Sequence, residues 1–369
     1  MKKKIIAVIL TVILFAVPLS ACNVGVSGTL KGAHIFMFKM TGNAFGNLMF
    51  EGFKKAVEEQ GGRAVYKSPA EATVSAQVEM LDTLITQQVA SITISTNGNT
   101  GYDEVFKRAK KAGISIISVD SAASPDYRTT HIEQTDPVEI GRSLVQAAVL
   151  IVCKVDYPKD GDMDKAVKAA LKSYNGKTLK FGALSAAVDT PIQNLWIKCM
   201  EQELQKDMYK GKVDPKLDVK YGNDEPTESR RQADAFIAEN KVDMIVSPTT
   251  IGMFAAGEAL KSSDSDIKLT GLGLPSEMKD YMPKTDSDNA FDYICPYMLL
   301  WNVKELGEIA ATATLKSANK EYDGKLDSTF TYNGKEFKTI PASDGGTCII
   351  ALDPYIFHKG NMADWVDVL

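Results

Sequence analysis

The stretch Ala112-Gly113-Ile114-Ser115-Ile116-Ile117-Ser118-Val119-Asp120-Ser121-Ala122-Ala123 decides the fold. Residues 102–111 before it are rich in Lys and Arg and read as a helix, which Gly113 closes as a left-handed cap residue. The β-branched run that follows reads as a strand buried on both faces, as a parallel sheet requires. It ends on a carboxylate and a hydroxyl, Asp120 and Ser121. Ligands of open α/β sheets sit beyond the carboxyl ends of the strands. Asp120 is therefore placed to accept hydrogen bonds from a ligand's hydroxyls. The strand alone leaves a second reading open, in which Asp120 caps the loop that follows.

Outward from this strand the same rhythm repeats. Residues 33–38 read as a strand with Lys39 at its end, followed by a Gly-Asn loop. Phe45, Met49, Phe53 and Val57 then make one apolar helical stripe that Gly61-Gly62 ends. Strands at 63–66 and 90–95 flank a helix over 74–87, and a short strand is expected at 129–132. A helix from 138 towards 155 follows, and polar residues 156–175 read as a surface insertion with one short helix. Alternation resumes with strands at 179–185, 217–221, 242–247 and 267–272 and helices at 191–204, 228–240 and 251–261. Residues 290–299 are expected to form a strand, 301–317 a long helix, and 330–340 and 348–352 strands around Gly345-Gly346. Strands alternating with amphipathic helices imply parallel sheets with right-handed crossovers. The tail after two complete runs implies that the chain crosses back, hence a hinge.

The chain opens Lys2-Lys3-Lys4, then an apolar run over 5–17, then Pro18-Leu19-Ser20-Ala21-Cys22. A basic start and a short apolar run make a secretion signal, too short to span a membrane convincingly. The ending resembles a bacterial lipobox, which implies lipidation of Cys22; the alternative is an ordinary signal cut at Ala21. Acyl chains at ~0.8 kcal/mol per buried CH₂ hold a protein on a membrane without spanning it. Residues 22–31 read as a tether. Roughly 340 residues remain, enough for two domains.

A net charge of −5, with no basic block beyond the signal, argues against nucleic acid as a partner. Beyond Cys22, the spacing of Cys153, Cys199, Cys295 and Cys348 matches no zinc pattern, and the sequence does not choose among possible disulfides. Cys348 reads most simply as a buried thiol in a strand. His34, His131 and His358 are scattered and suggest neither a metal nor a catalytic base. There is no Gly-x-Ser-x-Gly elbow, His-Glu-x-x-His pair or phosphate loop, so neither an enzyme nor a cofactor is expected.

Several pieces together resemble the type I periplasmic binding proteins, the solute receptors of bacterial ABC importers. They are Lys39-Met40-Thr41-Gly42-Asn43-Ala44-Phe45, Gln77-Val78, Val119-Asp120-Ser121, Gln134-Thr135-Asp136, Gln193-Asn194-Leu195-Trp196, Val246-Ser247-Pro248 and Leu300-Trp301-Asn302 with Leu306-Gly307. Their order and spacing carry the resemblance over nearly the whole chain after the signal, and it is nearest to the autoinducer-2 and rhamnose-type receptors. It implies two Rossmann-like α/β lobes joined by a multi-strand hinge: 32–134 with 301–345, and 135–300, with 346–369 as a C-terminal crossover segment.

The resemblance to the autoinducer-2 receptors implies ligand contacts from Lys39, Asp120, Gln193 and Pro248, with aromatic walls at Phe45 and Trp301. Asn43, Ser121, Thr250 and Asn302 complete the candidate set. A second ligand carboxylate of those receptors falls on Ile192 here, and a backbone-offering alanine falls on Thr250. The acid of general sugar receptors after the last strand of the second lobe is also missing, since Gly271-Leu272-Gly273 has none. Sugars are held between aromatic faces by a few polar side chains, and these residue types suit that task. Taken singly, Phe45 and Trp301 also read as core packing, and Lys39 as a solvated loop lysine. The implied function is a monomeric, lipid-anchored, extracytoplasmic receptor that delivers a sugar or polyol to an ABC permease. A sensory receptor that presents the same ligand to a membrane kinase or chemoreceptor is the alternative.

Overall fold

The computed structural model describes residues 29–369; the signal, Cys22 and most of the tether lie outside the described residues. The first half of the chain runs β1 (His34–Met37), α1 (Ala44–Glu59), β2 (Ala64–Lys67), α2 (Val74–Thr86), β3 (Ser91–Ile94), α3 (Asp103–Lys111), β4 (Ser115–Val119) and β5 (His131–Glu133). It continues through α4 (Pro137–Val152), α5 (Met163–Ser173), β6 (Phe181–Ser185), α6 (Pro191–Leu204), β7 (Asp218–Tyr221), α7 (Pro226–Glu239), β8 (Met244–Ser247), α8 (Thr250–Lys261), β9 (Lys268–Gly271) and α9 (Pro275–Met278). The last elements are β10 (Met298–Leu300), α10 (Val303–Ala318), β11 (Thr329–Tyr332), β12 (Lys335–Lys338), β13 (Ile340–Pro341), β14 (Thr347–Ile350) and β15 (Tyr355–Phe357).

Two parallel sheets result. The first has the order β13-β14-β5-β4-β3-β1-β2, parallel except for β13. The second has the order β7-β6-β8-β9, and a bridge from Leu272 to Leu299 carries it on to the antiparallel pair β10-β15. The chain passes between them at 134–136, at 301–302 and at 351–354, so segment 346–369 contributes β14 to one sheet and β15 to the other.

The period-2 alternation of strands sorts the first core into two layers. Ile35 and Met37 of β1 face Leu81, Leu84, Val105 and Phe106 of α2 and α3. Phe36 and Phe38 face α1 with Phe45, Met49 and Phe53. α1 and α10 approach closely because both carry glycine at the crossing: a Cβ on Gly52 or Gly307 would lie 1.8 Å or 1.9 Å from a backbone oxygen of the other helix. In the second lobe α4 and α6 meet at Gly141, where a Cβ would fall 2.5 Å from that of Cys199.

Three expectations change. Residues 156–175 do not lie wholly on the surface: Asp162 caps α5, and Met163, Val167, Ala170 and Leu171 form a buried stripe at helical spacing. The expected strand over 290–299 is a single 3₁₀ turn, Ala290–Asp292, followed by β10 of three residues, Met298–Leu300. The expected strand over 330–340 is a hairpin. Asn333 (φ 46°) and Gly334 (φ 77°) turn the chain back between β11 and β12, the left-handed pair that a two-residue hairpin loop demands. Cys153, Cys199, Cys295 and Cys348 are all free thiols. Cys348 lies buried in β14, where burial pushes its thiol up to about 11.

Candidate ligand-binding cleft

The carboxyl ends of β1, β3 and β4 present one side of a cleft. Lys39 follows β1 and Asp120 follows β4, and their charges meet at 2.9 Å with both side chains almost completely buried. Asp120 sits in the left-handed region (φ 64°), an unusual conformation that Asp tolerates better than most residues. Ser95 donates to its Oδ2 at 2.7 Å and Gln134 Nε2 to its Oδ1 at 2.9 Å. Asn97 Nδ2 donates to the Lys39 carbonyl at 2.8 Å, and Gln77 in turn accepts from the Asn97 amide and donates to the Ser95 carbonyl. The charged pair is thus fixed before any ligand arrives.

The opposite side comes from the second sheet. Pro191 opens α6 and places Gln193 and Trp196, three residues apart, on one helical face. Pro248 and Thr249 link β8 to α8, whose first residue is Thr250. Thr249 Oγ1 donates at 2.6 Å to Asp224, a residue in the loop after β7 with φ 50°. Trp301 stands between β10 and α10, edge-on to Phe45 at 6.0 Å and tilted against Trp196 at 6.0 Å. Phe38 lies 6.0 Å from Phe45, so an unbroken line of rings runs from one lobe to the other.

Between the two sides lies about 370 Å³ of atom-free space, part of it open to solvent, lined by Phe38, Lys39, Asn43, Phe45, Asp120, Gln193, Trp196, Asp224, Pro248, Thr249, Thr250, Leu272, Leu300 and Trp301. Gln193 Oε1, Trp196 Nε1 and Trp301 Nε1 are buried there without hydrogen-bond partners. A buried polar atom left unpaired costs about 1–3 kcal/mol, so three in one cavity fit a hydroxylated ligand that pairs them.

Of the sequence candidates, Lys39, Asn43, Phe45, Asp120, Gln193, Pro248, Thr250 and Trp301 come together around this cavity. Two do not. Ser121 is fully buried with an unpartnered Oγ and does not line the cavity. Asn302 caps α10, its Oδ1 accepting from the Glu305 amide, because the chain must start a helix there. Asn43 lines the cavity but also caps α1, accepting from the Gly46 amide at 2.9 Å. Ile192 faces a different cavity from Gln193. Asp224 was missed: it supplies a second carboxylate from a loop that no motif marked. Trp196 was legible through its i+3 spacing from Gln193. Among the described residues there is no metal-binding cluster, and no helix is long and apolar enough to cross a membrane.

A periplasmic binding protein domain matches residues 34–321. The chain belongs to the periplasmic binding protein family. An ABC transporter solute binding protein from Clostridium phytofermentas, solved with bound L-rhamnose, is similar at 31% identity with a TM-score of 0.80, over 92% of this chain and 99% of that one. A sugar ABC transporter from Actinomyces odontolyticus is similar at 26% identity and a TM-score of 0.64, over 92% of this chain and 98% of that one. LsrB from Clostridium saccharobutylicum, in complex with AI-2, shares the fold at 19% identity and a TM-score of 0.75, over 90% of this chain and 99% of that one. This periplasmic binding protein is therefore an extracytoplasmic solute-binding protein of the ABC transporter class and not an enzyme.

Proposed function

We propose that this protein is a monomeric, lipid-anchored receptor of an ABC importer that carries one sugar or sugar-like polyol in the cleft between its lobes, 32–134 with 301–345 and 135–300. The observation that carries this reading is the cavity wall: three unpartnered buried polar atoms beside the Lys39–Asp120 pair, closed by aromatic rings from both lobes. Hydroxyls donate and accept at once, so a polyol pairs Gln193 Oε1 and both indole N–H groups together. Lys39, Asn43, Asp120, Gln193, Asp224 and Thr250 hold the polar edge of the ligand; Phe45, Pro248 and Trp301 hold its apolar faces. A deoxyhexose of the L-rhamnose kind is the first candidate, supported by the similar protein solved with that sugar. Closure follows because the ligand bridges both walls and so has a higher affinity for the closed form.

Calorimetry with L-rhamnose, L-fucose, D-ribose and autoinducer-2 tests the reading. L-rhamnose is expected to bind, to raise the melting temperature and to reduce the radius of gyration; binding by no member of the panel overturns it. The anchor is tested separately: Cys22→Ala is expected to release the protein from the membrane fraction.

A further inference from the structure

Beyond Asp120 lies a second cavity with about 860 Å³ of open space, more than twice that of the central one. Asp120 belongs to the walls of both. The first lobe supplies a polar side: Asn99, Ser124, Arg128, His131, Glu133 and Asp344. The second supplies an apolar side from the start of α6, with Pro191, Ile192 and Leu195. A polar edge against an apolar face is the arrangement a sugar ring needs.

The polar side is built and incompletely paired. Arg128 grips Asp344 with both terminal nitrogens, at 2.6 and 2.9 Å. Burial works against the Asp344 charge, but the hydrogen bond and charge of Arg128 outweigh it and hold that carboxyl below its ordinary range. Arg128 is 7% exposed, yet its Nε has no acceptor. Glu133 is 9% exposed; His131 stands 3.4 Å from Oε2, and Oε1 has no donor. One donor and one acceptor, both buried and both on residues lining the same cavity, call for a group that accepts and donates. Hydroxyls do both, and neighbouring hydroxyls on a ring do so at once.

We propose that this cavity is a second sugar subsite, and that the protein takes a two-unit glycoside whose second unit lies between Arg128 and Glu133 on one side and Ile192 and Leu195 on the other. The proposal rests on the reading of the central cavity as the site of the first unit. It also accounts for the isoleucine at position 192: the residue serves as the apolar face of the flanking cavity, where a carboxylate would oppose Glu133 and Asp344.

The test compares L-rhamnose with two disaccharides, rhamnosyl-glucose and glucosyl-rhamnose, which extend the deoxysugar from opposite ends. Titrations use the wild-type protein, Glu133→Ala and Leu195→Trp. One disaccharide is expected to bind about tenfold or more tighter than L-rhamnose, the gain from one or two added hydrogen bonds. Leu195→Trp, which narrows the cavity, and Glu133→Ala, which removes the acceptor, should each erase that gain and leave L-rhamnose binding within about twofold. If L-rhamnose binds and neither disaccharide binds tighter, the second subsite is overturned and the central site stands. An advantage that survives Leu195→Trp overturns it equally. If a disaccharide binds, loses affinity in both variants, and L-rhamnose does not bind at all, the second subsite stands and the single-sugar reading fails. Binding by none of the three overturns both.

Discussion

The two walls of the cleft are built on opposite principles. The first lobe brings a full charge pair that is already satisfied: Asp120 accepts from Lys39, Ser95 and Gln134. The second lobe brings an amide and an indole that lack partners, Gln193 and Trp196, and one carboxylate, Asp224, paired to a single hydroxyl. A ligand therefore exchanges bonds on the first wall and adds bonds on the second. The lesson is thermodynamic: in the proposed closure the first wall would pre-organise the site, whereas the second would supply the difference in affinity that closes the cleft.

The largest break in this contrast is Asp120→Ala. Asp120 lies just beyond a strand end, yet it is buried at the centre of three bonds. Its loss strands a buried lysine, at a cost of about 3–5 kcal/mol. Denaturant unfolding should show that loss and calorimetry should show no binding; Asp120→Asn should fold better while still binding weakly. An Asp120→Ala protein of wild-type stability would falsify the pre-organised wall.

Asp224→Ala attacks the other wall. It should lower ligand affinity by about 1.5–3 kcal/mol, the worth of a hydrogen bond to a charged group, with only a small change in melting temperature. Equal stability losses in Asp120→Ala and Asp224→Ala would erase the distinction between the walls.

The scaffolds behind the walls come next. Gly307→Ala forces α10 off a backbone oxygen of α1, and overpacking of this kind costs about 1–3 kcal/mol. The change lies behind the pre-organised wall, so it should reduce stability and ligand affinity together. Gly141→Ala, between α4 and α6, should reduce stability and spare the Lys39–Asp120 pair. Chemical denaturation paired with calorimetry separates the two outcomes.

A pH dependence gives a separate test, away from both walls. Burial raises the Glu277 carboxyl from 4.5 to about 7. The folded protein thus holds that proton more tightly than the unfolded chain does. The stabilisation is complete below pH 4.5 and is lost as pH rises towards 7, with no further change above. Glu277→Gln should flatten unfolding free energy across that window; an unchanged slope would show that another group sets it.

Much of the fold was legible because parallel strands and their helices declare themselves locally. Val119 and Ile117 are buried because the run around them is β-branched, and α1 follows from the spacing of Phe45, Met49, Phe53 and Val57. The elements misread were those whose identity depends on partners. The hairpin of β11 and β12 is the exception, since Asn333-Gly334 is a local hairpin signal that the reading of 330–340 as one strand passed over, whereas α5 buries its stripe only by packing against the core. In the cleft, Lys39 and Asp120 were visible from sequence because strand ends in such sheets face ligands. Their pairing was not, since nothing local brings together residues from β1 and β4. Asp224 was invisible for the same reason: a loop carboxylate acquires a role only when β8 and α8 set Thr249 beside it. Composition and periodicity act over a few residues and determined which segments became strands and helices. The cleft joins side chains far apart in the chain, and which of them meet, pair or remain unpartnered was decided only when two sheets packed around the hinge.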